Sequence, residues 1–204
     1  MGLQVDPPFG LGQTLGVTTP NDSLVGISGS YGDNWVGTVK EFTDVNATTG
    51  QVRSNRRKVC IAVRNTSGAA LLPKRVVRLA GNGTALFGAA DGYASVTNDP
   101  FVGVVDEFLP AAGVASNDVF WVTVDGPTEV SVALSGSDIT VRGALSVITA
   151  ATSGALTAGR VTLSPLSAGT TGSGDNGIGV IGYAASTGAT TGSAVLALVR
   201  TRAS

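Results

Sequence analysis

At 204 residues the chain is long enough for one sizeable domain, or a domain with an arm, and it can bury well over half of its unfolded surface without staples. A single cysteine and no histidine exclude an internal disulfide framework, an imidazole-activated nucleophile and transition-metal chemistry of the usual kind. Charged residues are 13% of the chain, about half the usual share, and the net charge is −1, so Ser, Thr, Asn and Gly must cover much of the surface.

The first residues, Met1-Gly2-Leu3-Gln4-Val5-Asp6-Pro7-Pro8, hold neither a basic nor an apolar leader region, and Asp6 spoils a myristoylation pattern. Synthesis in a reducing cytoplasm is the expectation. No apolar run approaches the roughly 20 residues of a membrane span. Residues 1–34 read as an extended N-terminal arm, because Pro7, Pro8, Pro20 and many glycines break any period. Val5, Phe9 and Leu11 are its candidate partner-binding side chains: an arm with unpaired backbone groups can add a strand to a neighbour's sheet edge.

Residues 35–204 read as one all-β domain, a compact β-barrel, β-tulip or sandwich. Short runs rich in Val, Ile and Thr recur between turn clusters, which predicts strands over 35–42, 59–64, 75–80, 101–106, 119–125, 129–134, 138–142, 145–149, 160–164, 178–183 and 194–200. Phe120, Val122 and Val124 alternate with Val119, Trp121 and Thr123, the period of a strand. Ala80-Gly81-Asn82-Gly83, Asp125-Gly126-Pro127 and Ser135-Gly136-Ser137-Asp138 read as turns. Sequons begin at Asn21, Asn46, Asn65 and Asn82, and without a secretory route they read as turn chemistry. Cys60, inside Val59-Cys60-Ile61-Ala62-Val63, reads as a small apolar strand residue.

An internal repeat runs through this domain. Phe101–Thr123 aligns with Gly177–Val199 without a gap at an offset of 76, each a strand, a small-residue connection and a second strand. Upstream, Ser67-Gly68-Ala69 leading to Arg75-Val76 matches Ser153-Gly154-Ala155 leading to Arg160-Val161. Duplicated β-units can close one barrel or face each other as a sandwich.

Charge is segregated. Residues 45–90 carry eight bases and no acid, and residues 91–138 carry eight acids and no base. Two readings stay open at this point: pairing between strands of one subunit, or complementary patches that steer contacts between chains. The basic run Arg53-Ser54-Asn55-Arg56-Arg57-Lys58 lacks interleaved aromatics to stack bases, so it reads as a protein-facing or solvated basic turn rather than as a nucleic-acid site, with Arg53, Arg56, Arg57 and Lys58 as candidate partner-binding residues.

Catalytic patterns do not assemble. Gly172-x-Gly174-x-x-Gly177 and Gly177-x-Gly179-x-x-Gly182 fit a dinucleotide fingerprint only on paper, because Thr170–Asn176 reads as a turn-like stretch and no acid follows Asp175. Asp175-Asn176 lacks the alternating acids of a calcium loop. The adjacent acids Asp106 and Glu107 would point to opposite faces of a strand and read as surface groups. The expectation is a protein without enzymatic activity, metal or cofactor.

The order Val63-Arg64-Asn65-Thr66-Ser67-Gly68, Gly103-Val104-Val105, Gly179-Val180-Ile181-Gly182-Tyr183-Ala184 and Leu196-Ala197-Leu198-Val199-Arg200 resembles the head decoration (capsid cement) proteins of tailed phages, over residues 60–204. The resemblance implies a trimeric structural virion protein on the outer capsid surface. Such a protein binds the major capsid protein, partly through its arm, with no direct nucleic-acid or membrane contact. It would cement neighbouring capsid subunits through many weak contacts. Two alternatives remain open here: a tail, baseplate or fibre component, and a carbohydrate-binding or adhesive β-sandwich.

Overall fold

The structure, a computed structural model, describes residues 9–16, 35–81, 87–94, 101–133, 138–147, 159–163, 180–188 and 193–200. The described chain is all-β, as the short Val/Thr runs require. Its ten strands are β1 (Val39–Val45), β2 (Val52–Asn65), β3 (Val76–Ala80), β4 (Ala89–Tyr93), β5 (Val102–Val105), β6 (Val119–Ser131), β7 (Ala144–Val147), β8 (Val161–Leu163), β9 (Val180–Ala184) and β10 (Ala194–Arg200). They form one continuous sheet in the order β1-β2-β4-β3-β5-β6-β10-β9-β7-β8, with β2 also pairing β6. The architecture is therefore neither one clean barrel nor two facing sheets.

The pairings trace two circuits that share β6. In the first, β6 pairs β5, β5 pairs β3, β3 pairs β4, a short parallel ladder joins β4 to β2, and β2 returns to β6. In the second, the far half of β6 pairs β10, then β10 pairs β9, β9 pairs β7 and β7 pairs β8. A parallel bridge between Val161 and Val132, just past β6, completes it. In chain order the two circuits have the same connectivity. The end of β2, then β3, β4, β5 and the start of β6, correspond to the end of β6, then β7, β8, β9 and β10.

Loop detail repeats as well. Leu71 bridges Val114 in the first circuit, and Ile139 bridges Gly188 in the second. Lys74 and Arg142, three residues after those bridges, both take left-handed backbone at φ 62° and 69°. The repeat legible in the sequence thus matches β5 and early β6 to β9 and β10 as strands, but not residue by residue. Val104 faces Thr123, so the gapless offset would set Val180 opposite Val199, but Gly182 stands there. The aligned side chains also lie on opposite faces: Phe120 and Val122 turn into the first circuit, while Leu196 and Leu198, aligned with them, turn out of the second, as a register displaced by one residue requires. The upstream match fails: Arg75-Val76 opens β3 and Arg160-Val161 opens β8, which hold different places in their circuits. Those short small-residue strings are composition, not homology of position.

Val63, Val77, Phe120, Val122 and Val124 fill the first circuit, and Val130, Val132, Leu145, Ile181, Val195 and Val199 fill the second, where Val76, Val102 and Val104 of β3 and β5 join the same cluster. The alternation along β6 is as expected, with Val119 and Trp121 turned outward into a third cluster.

Asp125-Gly126-Pro127 is not a turn. β6 runs through it, so the strands expected over 119–125 and 129–134 are one. A register shift on β6 opposite Val59 and Cys60 and a Gly126 φ of 101° bend the strand as it leaves one circuit for the other. Pro127 has no N–H to give, and a bulged bend is where a strand tolerates it. Two strands were missed: β4, whose Ala-Ala-Asp-Gly-Tyr carries little β signal, and the polar first half of β2. The strand expected over 138–142 is only the isolated Ile139 bridge and a turn.

The bend gives a test. A Cβ at Gly126 would meet the Arg57 carbonyl and the Lys58 Cα, whereas one at Gly50, also at positive φ, meets nothing. Gly50→Ala is expected to cost about 1 kcal/mol from left-handed strain alone. Gly126→Ala is expected to cost about 3 kcal/mol or more. Urea unfolding of the two variants measures the difference.

Candidate partner-binding surface

Strand order interleaves the basic and acidic segments, so much of the charge is paired inside the chain. Lys58 is fully buried and pairs with Glu107, itself buried. Arg53 reaches Asp44 at 2.7 Å and Glu107 at 3.0 Å. Lys74 pairs with Glu129 at 2.6 Å, and Arg78 with Asp91 at 2.8 Å. Buried charge is tolerated only with partners of this kind. Desolvation pulls the Arg53 guanidinium down, but its bonds to Asp44 and Glu107 win and hold it above its ordinary value.

Asp106 and Glu107 are therefore not surface groups. They are 1% and 4% exposed, because Lys58, Arg53 and backbone amides satisfy them. Burial pushes Asp106 up to about 6, against the amides of Gly12 and Phe108 and the charge of Lys58, which pull it down. Glu107 adds to the rise. Burial likewise pushes the Cys60 thiol up to about 12, which suits an inert strand residue.

The described part of the N-terminal segment lies on its own domain. Phe9 is buried, its ring stacked on Trp121 with centroids 4.8 Å apart, and its carbonyl accepts the Trp121 indole N–H. Gly12 donates its amide to Asp106, Leu15 exchanges both backbone bonds with Val119, and Leu11 packs on the same cluster. Phe42 of β1 meets Trp121 edge-on. The outer face of the first circuit is thus covered by residues 9–15, Trp35, Val36 and β1. Val5 lies outside the described residues, as do Asn21 and Asn82.

Turn chemistry is seen at the other two sequons. The Asn46 side chain accepts the amides of Thr48 and Thr49. Asn65, buried, donates to the carbonyls of Ala69, Val114 and Ala115 and accepts from Ser67. Asn65 thereby ties the loop that follows β2 to the loop that precedes β6.

Of the candidate basic residues, Arg53 and Lys58 face inward, whereas Arg56 and Arg57 are exposed. They stand at a cleft of about 610 Å³ where the two circuits meet, with Asp125, Tyr183, Leu198 and Arg200 among its other walls. Leu198 and Tyr183 are directly opposite each other on β10 and β9, and Tyr183 is 57% exposed. Arg57 also holds Glu41 at 2.5 Å, in a pair whose side chains are 77% and 51% exposed. Pairs so exposed exchange easily with other partners. Tyr183 and Arg200 were not singled out from sequence; the only signal was their place in the second repeat unit.

No family model matches the chain, and no curated protein matches it. Among solved structures it is similar to the N-terminal base of the head fibre protein gp8.5 of bacteriophage phi29, at 14% identity and a TM-score of 0.40. The likeness covers 71% of this chain and 95% of that one. A score of that size does not establish a shared topology, and the functional reading below stands on the residues.

Two measurements probe the charged interior. Lys58→Ala leaves Glu107 buried without its ammonium partner and is expected to cost about 3–5 kcal/mol, read from denaturant unfolding. Asp106 is held above its unfolded value of 3.8, so the stability it contributes is full below about pH 3.8 and lost as pH rises through about 6. A shift of that size corresponds to about 3 kcal/mol. Asp106→Asn is expected to remove this component, so that parent and variant differ in the slope of stability against pH between 4 and 6.

Proposed function

We propose that the chain is a structural virion protein that decorates and stabilises a phage capsid from its outer surface, as a trimer, by binding the major capsid protein. The observation that carries this reading is the placement of the residues that resemble head decoration proteins. Val63–Gly68 holds the end of β2 and the loop tied down by Asn65, Gly103–Val105 lies in β5, Val180–Ala184 is β9, and Leu196–Arg200 is the body of β10. These are strands that close the two circuits, so the resemblance falls on the frame of the fold and not on loose loops.

Two further features favour a binding role over catalysis. The ionisable groups Asp44, Lys58 and Glu107, all buried, and the largely buried Arg53 are paired with one another and brace strands together. A sheet that pairs nearly all its strands on both edges is stiff, and a stiff scaffold loses little entropy when it docks. Many weak contacts made by several copies then add through multivalency and resist pressure from packaged DNA.

The test is to image particles made with and without this protein. Density at regular positions on the shell, lost on deletion and restored when purified protein is added back, is the expected result. Density on the tail, or no density on the particle, would refute the capsid reading.

A further inference from the structure

The duplication makes the two circuits comparable face by face. In the first, the outward side of early β6 presents Val119 and Trp121, and both are fully buried under Phe9, Trp35 and Phe42. The corresponding face in the second belongs to β10 and β9. There Val195, Ala197 and Val199 point inward, and Leu196, Leu198 and Arg200 point out. Among the described residues nothing comparable to the Phe9 segment lies on it: Leu198 is half-buried, and Tyr183 opposite it is exposed.

Charge sets the occupant. Among the described residues the walls of the cleft over this face carry Arg56, Arg57 and Arg200 against one carboxylate, Asp125, and of the three arginines Arg57 already holds Glu41 beside it. Arg forks bind carboxylates in a bidentate way, and an exposed aromatic beside them offers an apolar seat. A phosphodiester chain is the weaker fit, since Asp125 repels it and Tyr183 is the one aromatic on the walls among the described residues.

We propose that this cleft binds an extended acidic peptide segment of a partner protein, with acidic side chains on Arg56 and Arg200 and an apolar side chain on Tyr183 and Leu198. In effect the partner supplies to the second circuit the cover that residues 9–15 and β1 supply to the first. The proposal deepens the capsid reading, on which it rests only for the partner's identity.

The test uses the full chain and needs no capsid. A short fluorescent peptide alternating glutamate with phenylalanine and valine is titrated by anisotropy, beside its lysine counterpart and a labelled oligothymidylate. The glutamate peptide is expected to bind, to weaken about tenfold in Arg200→Glu and in Tyr183→Ala, and to weaken as salt rises. Arg78→Gln, on β3 and away from the cleft walls, is expected to bind like the parent, and melting curves are expected to match throughout. Equal binding of the lysine peptide, tighter binding of the oligothymidylate, or no binding of the glutamate peptide would each overturn the proposal. Because no particle is involved, failure here leaves the capsid reading standing, and failure of the imaging test leaves the peptide result standing.

Discussion

A strand has two hydrogen-bonding edges and two faces, and β6 uses all four. Its first half gives one edge to β2 and the other to β5, while its second half gives an edge to β10. Phe120 and Val122 enter one core, Val130 and Val132 line the other, and Trp121 anchors the outer cluster. None of this works if the strand is straight, because one face cannot address two enclosures. The displaced register near Val124 and the positive φ of Gly126 re-aim the strand between them. Gly126 is required because the Arg57 backbone passes against its Cα. The bend brings the two circuits together, and the cleft lies at that junction.

The charged interior depends on the same crossing. Lys58 and Arg53 leave the first circuit along the early part of β2, and Glu129 sits on β6 just past the bend. Glu107, in the turn after β5, reaches both cations and also accepts the Glu129 amide. Such a cluster does little for net stability compared with apolar packing, but it penalises any register in which a partner is missing. In a chain so rich in Val, Ala and Gly, where many apolar registers are nearly equivalent, that penalty is a physical reason to keep ions inside.

How much was legible follows from the kind of signal each element carries. The strands with Val-rich alternation, such as the core of β2, early β6 and β10, were readable because burial on one face imposes a period of two. The first half of β2 was not, since Arg53-Ser54-Asn55-Arg56-Arg57-Lys58 looks like a solvated turn unless its carboxylate partners, up to 76 residues away at Glu129, are known. Asp106 and Glu107 were misread for the same reason, as burial of charge is decided by long-range pairing. Gly126-Pro127 was misread because local turn chemistry and a bulged bend use the same residues. Arg56 and Arg57, candidates from the basic run, are exposed at the cleft, while Tyr183 and Arg200 join them only through the fold.

The repeat also explains why the molecule is asymmetric. Two copies of a five-strand unit, fused through a shared strand, would begin with equivalent outer faces. The first unit is preceded by chain, and that chain is used: β1 extends the β2 edge, Leu15 pairs with Val119, and Phe9 stacks on Trp121. The second unit is preceded only by the first, so its own entry strand is the far half of β6, with no comparable segment in front of it to fold back. Its outer face must therefore differ in composition or find a cover elsewhere. It does differ, with leucine and tyrosine where the first unit has valine and tryptophan, and with arginines along the rim. Half-exposed apolar groups ringed by charge are what a surface looks like when its cover is supplied by another chain.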